Sequence, residues 1–562
     1  MRRTNLSALS ALSALTALAV LAVLAACSPQ YDVVIRHGTV YDGSGGAPVQ
    51  ADVAIRGDSI VGVGDFAKAK GKAEVDATGL AVAPGFINML SWANENLLQD
   101  GRSMGDIMQG VTLEVMGEGE SMGPWNDSMK AESVRNQEDF KYDIRWTTLG
   151  EYLDYLAGHG ISTNVTSFVG TATVRQYVLG HATRAPTPAE LAQMHDLVRA
   201  GMKEGAVGVG SSLIYEPGMW ASTDELTALA SAAHESGGMY ISHIRNEDDS
   251  LFEAVNELIE IARRSGAPAE IYHIKASGKA NWGKLDSLIK MVEAANRSGL
   301  RITADMYNYP ASSTGFDAVM PGWVREGGYD AWRARLLDPV QRKRLLAEMR
   351  EPGKGFSRAG GPEGVLVVGF KTDSLRYLQG KSLAEVAAMR HKSADETALD
   401  LIVQDGTRVQ CVYFTMSEDN VRRELTLPWV SFASDAGSMA PEGLFLKQST
   451  HPRAYGSFAR LLGKYVREEK VLPLEEAIRR LTSLPATNLS LKRRGMLKSG
   501  EYADVVVFDP ATISDHATFA QPHQLATGMR DVFVNGVQVI KDGTHTGAKP
   551  GRFVHGPGYQ GK

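Results

Sequence analysis

Two histidines one structural repeat apart are the residues best suited to hold a metal ion. His243 lies in Tyr-Ile-Ser-His-Ile-Arg-Asn-Glu (240–247), and His273 lies in Glu-Ile-Tyr-His-Ile-Lys (270–275). Each sits where a short β-branched run ends. Neutral imidazole is a common ligand for Zn²⁺. Asp435, in Trp-Val-Ser-Phe-Ala-Ser-Asp-Ala-Gly (429–437), also falls where a strand meets a glycine-containing loop. A carboxylate there can hydrogen-bond a metal-bound water and carry its proton. One strand-end His is most often structural, whereas two on neighbouring strands with a strand-end Asp favour a metal site.

The elements that position these groups alternate. Gly238 to His243 reads as a strand and Asp249 to Ser265 as a helix, with Leu251, Phe252, Val255, Leu258, Ile259 and Ala262 at helical spacing. Ala269 to Lys275 reads as the next strand, Lys284 to Arg297 as a helix and Arg301 to Tyr307 as a strand. Repeating βα units of ~30 residues imply a parallel sheet. About 400 residues of them suit a closed (β/α)₈ barrel, which would set both imidazoles side by side on its catalytic rim. The barrel is expected over 84–490, with an insertion over its mouth at about 311–425, where Gly/Pro-rich and charged stretches break the rhythm.

Both chain ends read as β. Tyr31 to Arg36, Ala51 to Arg56 and Ser59 to Val63 alternate between turn signals. Ala503 to Phe508 is a strand, and Val532 to Ile540 is a hairpin turning at Asn535-Gly536. A small β domain made from 27–83 and 491–562 is expected.

The chain has 562 residues, a net charge of -6 and an ordinary 22% of charged residues. That balance excludes predominant disorder and gives no basic run for nucleic acid. Two cysteines exclude a disulfide framework and any Cys-rich zinc module. Cys411 sits in an apolar strand and reads as a buried, inert thiol. Gly205 to Gly210 lacks a dinucleotide fingerprint, and Ser211 and Ser212 lack a nucleophile elbow.

Residues 1–26 read as a signal peptide: Arg2 and Arg3, then an apolar run from Ala8 to Ala26. Leu24-Ala25-Ala26-Cys27 resembles the bacterial lipobox. The resemblance implies cleavage before Cys27 and a diacylglycerol anchor on its sulfur, tethering the domain to the periplasmic side of the cell envelope. Ser28, rather than Asp, after the Cys points to the outer membrane.

Several ordered segments resemble the N-acyl-D-amino-acid deacylases (D-aminoacylases) of the amidohydrolase superfamily. They are Pro-Gly-Phe-Ile (84–87), Gln-Gly-Val-Thr (109–112), Gly-Ser-Ser-Leu-Ile-Tyr-Glu-Pro-Gly (210–218), His-Ile-Arg-Asn-Glu (243–247), His-Ile-Lys (273–275), Asp-Met-Tyr-Asn-Tyr (305–309) and His-Pro-Arg-Ala-Tyr-Gly (451–456). The likeness runs from about residue 31 to 545. It implies zinc-dependent hydrolysis of the N-acyl bond of an N-acyl-D-amino acid. It also implies that Lys275, Tyr307, Ser313 and Arg453 bind the substrate carboxylate, with Arg453 best suited as a guanidinium fork.

Two departures stand out. Leu90 and Trp92 occupy the positions of the family's His-x-His, so the more exposed of its two metal positions should be lost, leaving about one zinc per chain. No Cys follows Gly-Val-Thr. By register the Cys position falls on Gly119, between Glu118 and Glu120. A carboxylate oxygen can replace the thiolate, and Glu118 is the expected ligand, with Glu120 the alternative. Glu118, His243 and His273 would leave a fourth position for an activated water, and Asp435 would carry the proton. Arg245 and Glu247 read as a structural ion pair. Two other readings stay open: hydrolysis of a D-residue dipeptide or cyclic imide, and a ligand-binding barrel without turnover.

Overall fold

In the computed structural model, residues 30–561 are described. The signal-peptide and Cys27 assignments therefore lie outside the described residues. The alternating N-terminal stretch forms strands Tyr31–Val40, Val49–Arg56, Ser59–Gly64, Gly71–Asp76 and Ala81–Pro84. Its inward faces bury Val33, Ile35, Val53 and Ile55 against Val505, Val507 and Phe533 from the other end of the chain. Ala81–Pro84 pairs antiparallel with Val505–Phe508, which joins both ends in one nine-stranded sheet. Beyond His545 the chain leaves that sheet. The Gly551, Val554 and Gly556 amides donate to the carbonyls of Ile161, Val165 and Gly205. This differs from the expected β domain out to 562, because the tail satisfies backbone groups on the barrel instead.

The central strands are β1 (Phe86–Asn88), β2 (Val111–Met116), β3 (Asn164–Ser167, resuming at Val169–Gly170), β4 (Gly208–Ser212), β5 (Met239–His243), β6 (Ala269–Ile271), β7 (Ile302–Met306) and β8 (Val430–Phe432). Neighbours pair in parallel from β1 through to β8. The ring closes where the Met89 amide donates to Phe432 O at 3.2 Å, the Asp435 amide donates to Leu90 O at 2.9 Å and Ser91 bridges Ala436. The fold is thus a closed eight-stranded parallel barrel. Leu90 is fully buried inside it with Ile87, Leu113, Phe168, Ile241 and Tyr272.

Helices Leu251–Ser265 and Leu285–Arg297 form close to where periodicity placed them, with Leu251, Val255, Leu258 and Ile259 buried on one side of the first. The strand expected over 269–275 stops at Ile271. His273 turns to φ +36°, with its amide donating to Asp305 Oδ1 at 2.8 Å.

The insertion carries its own core. Strands Ser312–Gly315, Val365–Gly369 and Gln410–Tyr413 form an antiparallel sheet. Phe316, Trp332, Leu336, Phe370, Leu399 and the buried Cys411 pack with it. This second core ends at Tyr413, short of the expected 425. Helix Glu418–Leu425 turns Val421 and Leu425 into the barrel's own core.

Candidate active site

The strand ends bring the predicted residues together. Glu118, Lys275, Tyr307, Ser313, Asp435 and Arg453 line one cavity of about 820 Å³ with His243 and His273, between the barrel mouth and the insertion. His243 ends β5, His273 follows β6 and Asp435 follows β8. Their carboxylate and imidazole groups are buried.

Glu118 is delivered by a glycine-flanked turn after β2. Gly117 and Gly119 adopt φ +103° and +71°, conformations that glycine takes without a steric penalty. A Cβ on Gly119 would stand 2.4 Å from Ser212 Cβ. No side chain fits at that register position, so the carboxylate one residue earlier enters the site. Glu118 Oε1 lies 2.9 Å from His243 Nδ1 and 3.1 Å from His273 Nε2. These three ligand atoms fall within 4.8 Å of one another. Glu120 lines the cavity outside this group and is exposed to solvent.

Two imidazoles and one carboxylate are a donor set that catalytic divalent metal centres use. Charge fits the same purpose. Burial opposes ionisation of Glu118, but the two imidazoles outweigh it and hold the carboxyl well below the usual range. Burial and Lys275 oppose a charged His273, yet Glu118 and Glu247 raise that imidazole to about 10. His243 Nε2 is buried with no hydrogen-bond partner among the described residues.

Glu247 corrects the sequence reading. Its Oε1 lies 2.5 Å from Lys275 Nζ, 3.2 Å from His273 Nδ1 and 3.8 Å from His243 Nε2. Arg245 pairs with Glu257 at 2.8 Å instead. Arg245 turns to Glu257 on the following helix, while Glu247 turns into the cavity. A signal was present in the spacing: Glu247 stands four residues after His243, inside the same motif.

Asp435 is held from three sides. Its backbone takes φ +49°. Trp92 Nε1 donates to Asp435 Oδ1 at 3.1 Å and to Glu118 Oε2 at 3.1 Å. Arg453 Nη1 stands 2.7 Å from Asp435 Oδ2. Burial raises the Asp435 carboxyl above its ordinary value, against the pull of Arg453.

The residues assigned to the substrate carboxylate differ in how free they are. The Arg453 guanidinium lies 4.5 Å over the Tyr307 ring, and its buried Nε has no hydrogen-bond partner among the described residues. His451 fixes that arginine's backbone: its Nδ1 accepts from the Arg453 amide at 3.0 Å while Nε2 donates to Ala311 O at 3.0 Å. Burial, reinforced by Arg453, keeps His451 neutral, well below its ordinary value. Among the described residues the Tyr307 hydroxyl donates to the weak acceptor Met416 Sδ at 3.5 Å. Ser313 spends its hydroxyl proton on Cys411 O at 3.0 Å, and Lys275 donates to Glu247 while standing 2.7 Å from His273 Nδ1.

The chain is similar over its length to known proteins. Residues 443–540 match the profile of the Amidohydrolase family. The chain is 32% identical to a D-aminoacylase of Alcaligenes xylosoxydans xylosoxydans, over 94% of this chain and 98% of that one. It superposes with a TM-score of 0.77 on N-acyl-D-glutamate deacylase from Bordetella bronchiseptica, a structure with zinc and a phosphonate mimic of the tetrahedral intermediate. Identity there is 29%, covering 93% and 99% of the two chains. A D-aminoacylase structure described for one-metal activation and second-metal attenuation at a binuclear centre is equally similar, with 30% identity, TM-score 0.77 and 93% and 100% coverage. The barrel, the buried histidine and carboxylate cluster and this full-length similarity place the chain in the D-aminoacylase family of amidohydrolases.

Proposed function

We propose that this protein is a zinc-dependent hydrolase that removes the acyl group from N-acyl-D-amino acids. The observation that carries the reading is the convergence of Glu118, His243 and His273 within 4.8 Å, with Asp435 joined to Glu118 through a single indole N–H.

Glu118, His243 and His273 would hold the zinc ion. When bound, zinc polarises a carbonyl and lowers the pKa of a bound water to about 7. Asp435 Oδ1, on the side turned towards Glu118, takes the proton of the attacking water and returns it to the leaving amine. Arg453 receives the substrate carboxylate through its unfilled Nε, and the Tyr307 hydroxyl donates beside it. Lys275 adds positive charge behind them while keeping Glu247 against His273. Ser313 joins only by giving up its bond to Cys411 O. The insertion closes over the cavity and limits water around the reacting amide.

The lipid anchor at Cys27 is part of the same proposal. The domain would work on the periplasmic side of the envelope, held by its N-terminus. Among the described residues no helix is long and apolar enough to cross a membrane.

The experiment uses the chain from residue 28, loaded with zinc and offered matched N-acetyl-D- and N-acetyl-L-amino acids, with amine release as readout. Turnover of the D series alone is expected. Absence of turnover in both series with zinc bound would overturn the substrate assignment.

A further inference from the structure

We propose that Trp92 is a positioning residue that substitutes for a second cation: its indole N–H holds the Asp435 and Glu118 carboxylates together and keeps the centre mononuclear. Its turnover arm rests on the deacylase reading above; its metal arm does not.

Trp92 follows Ser91, whose bridge to Ala436 helps close the barrel, and the Trp92 amide donates to Ala436 O at 3.0 Å. The side chain is therefore rooted beside the loop that carries Asp435. Its Nε1 stands 3.1 Å from both Asp435 Oδ1 and Glu118 Oε2. Two carboxylates that converge on one point repel each other unless positive charge lies between them. Here that charge is the partial positive end of one N–H, with Arg453 on the far oxygen of Asp435 at 2.7 Å.

Indole nitrogen is a donor only and cannot ligate a metal. A cation bridging Glu118 Oε2 and Asp435 Oδ1 would have to displace the ring. Two residues earlier, Leu90 is apolar and fully buried and offers no ligand atom. Trp92 is 37% exposed and lines the cavity rather than filling the core. It has room to act as a wall that excess metal must pass. A related D-aminoacylase is described as attenuated by a second metal. In this chain a donor-only side chain stands between Glu118 Oε2 and Asp435 Oδ1.

The test is equilibrium dialysis against rising zinc, with metal counted by mass spectrometry and fold checked by circular dichroism. The wild type should hold one zinc per chain throughout. Trp92→His should take up a second that Asp435→Asn removes. Trp92→Phe keeps the bulk and loses the N–H; it should hold one zinc, with kcat about 10-fold lower and KM nearly unchanged. A wild type that binds a second zinc removable by Asp435→Asn would overturn the proposal, as would a Trp92→Phe protein with wild-type kcat. Metal counts need no substrate, so they judge Trp92 even if the deacylase reading fails, a failure that would show as a one-zinc wild type without turnover.

Discussion

Glu247 Oε1 lies 3.2 Å from His273 Nδ1, on the ring edge opposite the nitrogen that faces Glu118. When Nδ1 donates to that carboxylate, Nε2 carries the lone pair a metal needs, and Lys275, although 2.7 Å from the same nitrogen, gives its proton to Glu247. Lys275, 2.5 Å from the same oxygen, keeps Glu247 ionised. Burial opposes that charge, but Lys275 and the imidazoles hold the carboxyl well below its usual range. Glu247→Gln should weaken zinc binding by about 10- to 100-fold. Competition with a chromophoric chelator measures this, and unchanged affinity would show that His273 needs no such partner.

The ligand and proton-transfer roles separate by mutation. His243→Ala and His273→Ala should each lose bound zinc and activity together. Asp435→Asn should retain most of the zinc and lose turnover by about 100-fold or more. Zinc content and kcat on the same preparations decide it. Wild-type turnover in Asp435→Asn would end its assignment as proton carrier.

The backbone turn carrying Glu118 gives a steric prediction. Gly119→Ala places a Cβ 2.4 Å from Ser212 Cβ at φ +71°. The strain is expected to cost about 1–3 kcal/mol and to shift Glu118 off the imidazoles. Denaturant titration and zinc content should fall together. A variant with normal stability and full zinc would contradict the account of why Glu118 is the ligand.

The pH dependence follows from His273. Its imidazole is raised to about 10 in the folded metal-free chain, against about 6.5 when unfolded. Between those values the folded state keeps a proton that the unfolded state has lost. The stabilisation is therefore complete below about pH 6.5 and fades as pH rises through about 10. Zinc must displace the same proton. Zinc affinity should rise over that interval while the Tm of the metal-free protein falls. Calorimetry in buffers of different ionisation enthalpy should detect the proton release; pH-independent binding across the interval would refute it.

Arg453 should matter by shape as well as charge. Its guanidinium stacks 4.5 Å over Tyr307 and faces Asp435 at once, which a lysine ammonium cannot reproduce. Arg453→Lys should raise KM for N-acetyl-D-amino acids about 10-fold or more. Steady-state kinetics with the D series reads it directly.

Much of this protein was legible from residue order. The βα rhythm determined the barrel, and with it the meeting of His243 and His273, because the ends of adjacent parallel strands are neighbours in any such barrel. The alternating termini determined their shared sheet, since neither end could bury its apolar face alone. What only tertiary structure decided depends on distances between residues far apart in the chain. Ser212 leaves no room for a side chain at Gly119, and the turn there aims Glu118, not Glu120, at the two imidazoles. Glu247 turns inward to Lys275 and His273, while Arg245 finds Glu257 on a helix. The Trp92 indole reaches Asp435 across 343 residues of sequence because barrel closure sets Ser91 beside Ala436. Local periodicity records which way a side chain faces its own element, and such long-range contacts exist only once the ring of strands has closed.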